Sequence, residues 1–535
     1  MAIIAIDAGT TMIKAVGYSS AGAELIVARQ PTSISHPKPG WAEQDMISVW
    51  QAVASCVQTV QKKLDSNIDY LAVTAQGDGC WLVDGKGVPT GPAILWNDGR
   101  AASSVQDWAH QGVLTAAFQR NRSQTFAGLP NALLHWLSKH EPQRIMNANS
   151  FLTCGGWLFG QMTGEYAVDE SDAAAPFMDI AGRRYSDELL ALFGLEWAEA
   201  LLPPIRRDSQ RSAPLTNDAA KAMGLAPGIP VILAPYDIAS TAIGAGATSP
   251  DQACCILGTT ISTEIVTSSL PAPTDMVGLT IPLGVSQMYL YALPTLAGGD
   301  VLDWACRTLQ VNSPGELSEL ANSCTPGAEG LFFLPYLSPA GERAPFLDAN
   351  ARGAFLGLSA NHRKEHLARA VFEGLTMAMR ECLVTAGAAP SEIRACGGGA
   401  VNPFWRQLIA DITGIPVSRT TDSEVGARGA FLIGQAATGA VTSITEASAG
   451  FVSIADRTTP RSGMTEFYAL LYKDFLTLRD DSRQSWATLA EARKRLGADT
   501  LAANSFFGSR SYPSEPRHTT ISEPVPTEQP EEEVV

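Results

Sequence analysis

Long apolar runs are missing from this chain of 535 residues, and no stretch approaches the roughly 20 residues that cross a bilayer as a helix. Basic residues are also in short supply. Lys and Arg total 38 against 54 Asp and Glu, a formal net charge of −16, which argues against nucleic acid or an anionic membrane as partner. Any bound polyanion must then be held by local donors and a divalent cation rather than by the global field. The nine cysteines are scattered and none forms a CxxC pair. Cys254 and Cys255 are adjacent inside an apolar run and read as core thiols rather than a metal site. This usage fits a reducing compartment, so a cytoplasmic location is expected. An apolar strand begins almost at once, which leaves no room for a signal peptide. What remains is ordinary: 45% apolar residues and a mean hydropathy of +0.03 suit a soluble globular protein.

A chain of this length exceeds one compact core, so two large domains are expected. Ile3 to Ile6, Ala15 to Tyr18 and Glu24 to Arg29 read as three antiparallel strands. A helix follows from Met46 to Leu64, with Ile47, Trp50, Val53, Ala54, Val57 and Val60 at helical spacing. Tyr70 to Thr74, Trp81 to Asp84, Ala93 to Trp96 and Val231 to Ala234 are further strands, and Ile238 to Gly246 is a small-residue helix. The later part reads as strands Ala253 to Leu257, Ile261 to Val266 and Ile393 to Ala395, with helices His366 to Thr385, Pro403 to Thr413 and Gly426 to Thr438. The glycine- and alanine-rich last helix should pack closely. From Ala503 the composition turns to Ser, Pro, Glu and Thr, so residues 503–535 are expected to be a disordered acidic tail.

One element occurs twice. The first strand ends in Asp7-Ala8-Gly9-Thr10-Thr11, with Lys14 just beyond, and the strand ending at Leu257 runs into Gly258-Thr259-Thr260. Gly9 permits a tight turn. The threonines offer hydroxyl and amide donors to phosphate oxygens, and Asp7 can hold a hydrated Mg²⁺, which accepts few carboxylates. A plain type I or II turn explains either site taken singly. The recurrence implies two domains on one plan, with two phosphate turns facing each other across a cleft.

Gly353-Ala354-Phe355-Leu356-Gly357-Leu358, followed after seven residues by His366-Leu367-Ala368-Arg369-Ala370-Val371-Phe372-Glu373, resembles the second signature of the FGGY carbohydrate kinases. The opening Asp-x-Gly-Thr-Thr and the block Gly397-Gly398-Gly399-Ala400 stand where that family has them. The resemblance covers roughly residues 1 to 480 in order. It implies an α/β fold of two ribonuclease-H-like (actin-like ATPase) domains flanking a nucleotide cleft, and transfer of the ATP γ-phosphoryl group to a sugar or polyol with Mg²⁺. The expected division is 1–246 for the acceptor and the first phosphate loop, and 247–485 for the nucleotide.

The same resemblance implies roles for particular residues. Asp237, between a strand and a helix, would be the catalytic base, although an N-cap would also explain it. Thr10, Thr11 and Lys14 would face the transferring phosphates, with Lys14 in place of the arginine of glycerol kinases. Gly258, Thr259 and Thr260 would form the second phosphate turn. Gly299, Asp303, Gly398, Gly399 and Asn402 would line the nucleotide, with Asp303 equally explained as a solvated helix residue. Gln76, Asp78 and Trp96 would meet the acceptor along with Asp237. Trp81, Asn97 and Asp98 are secondary candidates, as are Asp169, Ser171 and Asp172, for which a solvated turn is an equal explanation. Gln76-Gly77-Asp78-Gly79 replaces the arginine-glutamate pair of glycerol kinases and the methionine-histidine pair of xylulose kinases. The run Thr74 to Leu82, with Pro235 to Ser240, is most similar to erythritol kinases. Erythritol phosphorylation is therefore expected, with an L-xylulose or other ketopentose kinase as the alternative. An actin-like ATPase lacking a small-molecule acceptor is the alternative of another class. A homodimer remains an open option.

Overall fold

The computed structural model describes residues 1–496 except 65, 272–274 and 285–287; the expected acidic tail, 503–535, lies outside the described residues. The first sheet is built on β1 (Ala2–Ala8), β2 (Met12–Ser19), β3 (Glu24–Pro31), β4 (Ile68–Ala75), β5 (Ser212–Pro214) and β6 (Pro230–Leu233). Its order is β5-β6-β4-β1-β2-β3. β1 to β3 form an antiparallel meander, while β4 runs parallel to both β1 and β6. Every residue of β1 is buried, as expected of a strand covered on both faces. Helix α1 (Met46–Leu64) has the expected bounds, but its buried stripe runs through Met46, Val49, Val53, Val57 and Val60. Ile47 is exposed; a shift of one residue turns a side chain about 100° around a helix. Helix α2 (Asp237–Gly244) follows β6.

The second sheet repeats the plan with β7 (Gln252–Leu257), β8 (Ile261–Thr267), β9 (Leu279–Pro282), β10 (Tyr289–Pro294), β11 (Glu392–Cys396), β12 (Val417–Thr420) and β13 (Ile454–Thr458). Its order is β9-β10-β8-β7-β11-β12-β13. Here β7, β8 and β10 are the meander, and β11 and β12 run parallel to β7. Each sheet ends in an antiparallel partner on its parallel side, β5 in one and β13 in the other. Helices α3 (Gly299–Leu309), α4 (Lys364–Thr385), α5 (Pro403–Thr413), α6 (Val425–Ala437) and α7 (Met464–Arg495) belong to the second lobe.

The lobes meet where α2 crosses α6. A Cβ on Gly244 would collide with the Val425 carbonyl oxygen, and one on Gly429 with that of Ser240. The small residues therefore let two backbones touch. Around this crossing, Tyr18, Tyr70 and Ile232 of the first lobe share one core with Cys254, Leu290 and Phe431 of the second. All nine cysteines are buried free thiols, Cys254 and Cys255 among them, and the Sγ atoms of Cys254 and Cys396 lie 3.9 Å apart, too far for a bond. No helix among the described residues is long and apolar enough to cross a membrane.

Candidate active site

The turn after β1 is closed by a hydrogen bond from Gly9 N to Met12 O (3.1 Å), and the turn after β7 by one from Gly258 N to Thr260 O (3.1 Å). Gly9 does not use a left-handed backbone. It supplies room instead, since a Cβ there would come within 3.1 Å of Met12 O. Around the second turn the glycines of α3 close in. Gly299 N donates to Gly258 O (2.9 Å) and Asp300 N to Thr259 O (3.1 Å), and a Cβ on Gly298 would lie 2.6 Å from Thr260 Cα.

Beside this turn lies a cavity of about 830 Å³. Its walls include Gly258, Thr259, Gly299, Asp303, Gly398 and Asn402, and Gly399 joins them, so the nucleotide residues expected of the second lobe converge there. Thr260 lies at the same turn but outside the cavity wall. Gly397 takes φ +81° over Leu257 O, and Gly398 faces open space. Asn402 accepts from Trp405 N (3.2 Å), so it caps α5 as well as lining the cavity. Sequence reasoning missed Asp300, whose Oδ1 accepts from Gly298 N (3.0 Å) and Val301 N (2.8 Å) in the first turn of α3, and the apolar wall of Val401 and Phe404.

The first turn is wired differently from the expectation. Thr11 is exposed. The Thr10 hydroxyl donates to Gln76 Oε1 (2.8 Å) and accepts from Trp96 Nε1 (3.0 Å). Gln76 in turn donates to Gln44 Oε1 (2.8 Å), and Gln44 to Thr10 O (2.7 Å). The turn is thus bound rigidly to Gln76 and Trp96, two of the expected acceptor residues. Lys14 does not project freely: its Nζ lies 3.2 Å from Asp7 Oδ2 and 3.0 Å from Glu424 of the second lobe. Burial works to lower its pKa, but the two carboxylates outweigh it and hold the pKa above the ordinary lysine value. Burial pushes Asp7 upward, with Lys14 working against it.

Asp237 is the first residue of α2, and Tyr236 occupies the cap position without a side-chain bond, so the N-cap explanation fails. Asp237 Oδ1 accepts only from Ile238 N (2.8 Å), and Oδ2 makes no hydrogen bond among the described residues. Burial, then Asp7, and after them Asp78 push its pKa to about 7. Asp78 is likewise raised to about 7 by burial, opposed by Arg343. It stands at φ +55°, a conformation that non-glycine residues seldom hold, and Tyr236 packs so closely on Gly77 that a Cβ there would overlap its ring.

The segment Asp169 to Asp172 is not a solvated turn. All of it is buried, at the start of a short helix capped by Asp169 through Ser171 N (2.7 Å). Asp169 forms an ion pair with buried Arg211, and Ser171 Oγ accepts from Tyr236 N (3.0 Å), which fixes the residue before Asp237. Asp172 keeps Oδ1 buried without a partner among the described residues, and its pKa is raised well above the usual range by burial and then Asp169. Asp98 is removed from the candidate pocket: it is used up by Ala42 N (2.6 Å) and a buried pair with Arg100 (2.9 Å). Trp81 is a core residue against Trp157, ring centroids 5.7 Å apart. Asn97 keeps its Oδ1 buried and unpartnered among the described residues.

Family models described as the N-terminal and C-terminal domains of the FGGY family of carbohydrate kinases match residues 2–244 and 253–438. An erythritol kinase of Brucella abortus is 32% identical, covering 84% of this chain and 90% of that protein. A xylulose kinase of Escherichia coli is 31% identical, covering 79% of this chain and 87% of its own length. Among solved structures, a ligand-bound xylulose kinase from Lactobacillus acidophilus superposes with a TM-score of 0.86 at 25% identity, covering 91% of this chain and 99% of the other.

Proposed function

The chain belongs to the FGGY family of carbohydrate kinases, and from that premise we propose that it passes the γ-phosphoryl group of ATP to a hydroxyl of a small polyol, erythritol before others. One observation carries this reading: Asp237 presents a carboxylate oxygen with no hydrogen-bond partner among the described residues, at the start of the helix where the lobes meet. Asp237 orients the acceptor hydroxyl and takes its proton as the phosphorus–oxygen bond forms. Phosphoryl transfer asks little else of a base, because positioning and charge neutralisation dominate. Asp78 and Gln76 accept from neighbouring hydroxyls of the acceptor, and Trp96 covers its carbon–hydrogen face.

In this reading the first lobe, 1–246, binds the acceptor, and the second, 247–485, binds ATP in its cavity. Gly258, Thr259 and Thr260 hold phosphate oxygens, Gly299 and Asp303 line the phosphate end, and Gly398, Gly399 and Asn402 take the adenosine end. Thr10 and Thr11 meet the γ-phosphate with Lys14. Asp7 fits magnesium: Oδ1 has no hydrogen-bond partner among the described residues, and a cation would offset the crowding of carboxylates that raises Asp237. When bound, magnesium would neutralise phosphate charge. The free buried thiols support a cytoplasmic setting.

A ketopentose acceptor is the second reading, favoured by a similarity to xylulose kinase almost equal to that to erythritol kinase. An ATPase without an acceptor is set aside by family membership. A panel of four- to six-carbon polyols and ketoses, assayed for ADP release, tests the proposal. Erythritol should give the highest kcat/KM. A preference for L-xylulose or D-xylulose would move the assignment to the second reading, and ADP release indifferent to every acceptor would overturn both.

A further inference from the structure

Asp78 lacks a hydrogen-bond partner among the described residues, and Arg343 of the opposite lobe counters the rise that burial gives its pKa. Arg343 stands in the segment between the short strands Phe332–Leu334 and Ala354–Leu356. Three contacts fix it. Its Nε donates to Pro294 O (3.0 Å) at the end of β10. Its backbone N donates to Glu342 Oε1 (2.9 Å), and that buried carboxylate also accepts from Leu296 N (2.7 Å). Its guanidinium lies 5.6 Å from the ring centroid of Phe126, a first-lobe residue.

The Phe126 loop leads directly to Asp78. Two residues after Phe126, Gly128 O accepts from Gly79 N (3.1 Å), so the loop that Arg343 covers also holds the residue beside Asp78. The two terminal nitrogens of Arg343 have no hydrogen-bond partner among the described residues, and Arg343 forms no ion pair there. A guanidinium held at its Nε keeps its two terminal nitrogens available to donate.

We propose that Arg343 is an acceptor-binding residue supplied by the second lobe, and that it and Asp78 take two neighbouring oxygens of the acceptor between them. The chemistry is complementary. A hydroxyl donates to Asp78, while the adjacent hydroxyl or carbonyl oxygen accepts from Arg343. Because one group is anionic and the other cationic, the pair suits an uncharged polyol or ketose and gives no net attraction to a sugar acid. Acceptor binding would also bridge the lobes, since Asp78 and Arg343 belong to different ones. This inference rests on the phosphotransfer reading above and adds a residue to its acceptor site.

Arg343→Ala and Arg343→Lys, assayed with erythritol, L-xylulose and D-xylulose, test it. The alanine variant should raise the KM of the best acceptor about tenfold or more, the scale of a lost hydrogen bond to a charged group, while the KM for ATP stays within about twofold. The lysine variant, which keeps the charge but loses the fork, should fall between. Asp78→Asn should improve discrimination toward gluconate, because Arg343 then stands unbalanced. A purely structural Arg343 would move both KM values together and lower the melting temperature of both variants in step. That result, or an unchanged acceptor KM, overturns the inference while leaving the kinase reading in place. A wild-type protein that phosphorylates none of the acceptors would instead overturn the reading on which the inference depends.

Discussion

Lys14 Nζ stands 3.0 Å from the carboxylate of Glu424, so a lysine beside the first turn is tied to the opposite lobe. Glu424 also takes the Arg29 guanidinium (2.7 Å) and is itself buried, whereas Lys14 is half-buried and Arg29 exposed. The cluster joins the start of α6 to β2 and β3. Its strength should lie between that of exposed and buried pairs.

Glu424→Gln keeps the side-chain volume and removes the charge. It should cost about 1–2 kcal/mol of stability. Part of the loss should disappear at high ionic strength, because exposed members of the cluster are screened. Thermal unfolding at low and high salt reads the effect, and a salt-independent loss would show that packing rather than charge is responsible.

With Asp237 as the proposed base, its pKa of about 7 should set the acid limb of the pH profile. A base works only deprotonated, so kcat/KM should fall about tenfold per pH unit below roughly pH 7 and level off above it. Asp78 contributes to this shift by repulsion, so the limb belongs to the pair. Asp78→Asn removes one negative neighbour and should move the residual activity's acid limb to lower pH. A limb that stays near pH 7 would remove Asp78 from the electrostatics of the base.

Two cavity glycines should separate folding from binding. A Cβ on Gly398 meets nothing within 4 Å, so Gly398→Ala should unfold like the wild type and yet raise the KM for ATP. A Cβ on Gly299 would lie 2.7 Å from Gly258 O, so Gly299→Ala must push the second turn aside. It should cost about 1–3 kcal/mol of stability as well as nucleotide affinity. Equal melting temperatures for the two variants would contradict the packing seen at the turn.

Glu264 is fully buried in β8, and neither of its carboxylate oxygens has a partner among the described residues. Burial, and then the neighbouring Cys396, raise its pKa well above the ordinary glutamate value. A carboxyl group with a raised folded-state pKa favours the fold below its unfolded pKa of 4.5 and loses that contribution as pH climbs toward the folded value. Glu264→Gln should therefore raise neutral-pH stability by about 1–3 kcal/mol and flatten its decline above pH 4.5. Denaturant titrations at pH 5 and pH 8 measure both effects.

Where local pattern dictates structure, the sequence could be read. The strand–turn–strand around Gly9 and its counterpart at Gly258 were visible as apolar runs broken by small polar residues, and both open a meander. Helices α1 and α5 have the expected bounds. The close packing foreseen for α6 is real, because Gly429 faces a carbonyl oxygen. The segment between Asp98 and Pro227 gave little signal, since its short helices and two-residue strands are held by tertiary contacts. Burial of polar groups was hidden as well. Asp169 reads as a turn residue until Arg211 is placed on it, and Asp98 as a pocket residue until Arg100 is. Arg343 escaped because nothing in its own surroundings points to Asp78; only the folded chain brings the Phe126 loop beneath it.

Asp237→Asn tests the proposed base, through ADP release with saturating erythritol and ATP beside calorimetric titration of a nonhydrolysable ATP analogue. Turnover should fall by about a thousandfold or more, as expected when a base is lost, with nucleotide affinity within about twofold of wild type. Turnover near the wild-type rate would show that Asp237 neither orients the acceptor nor accepts its proton.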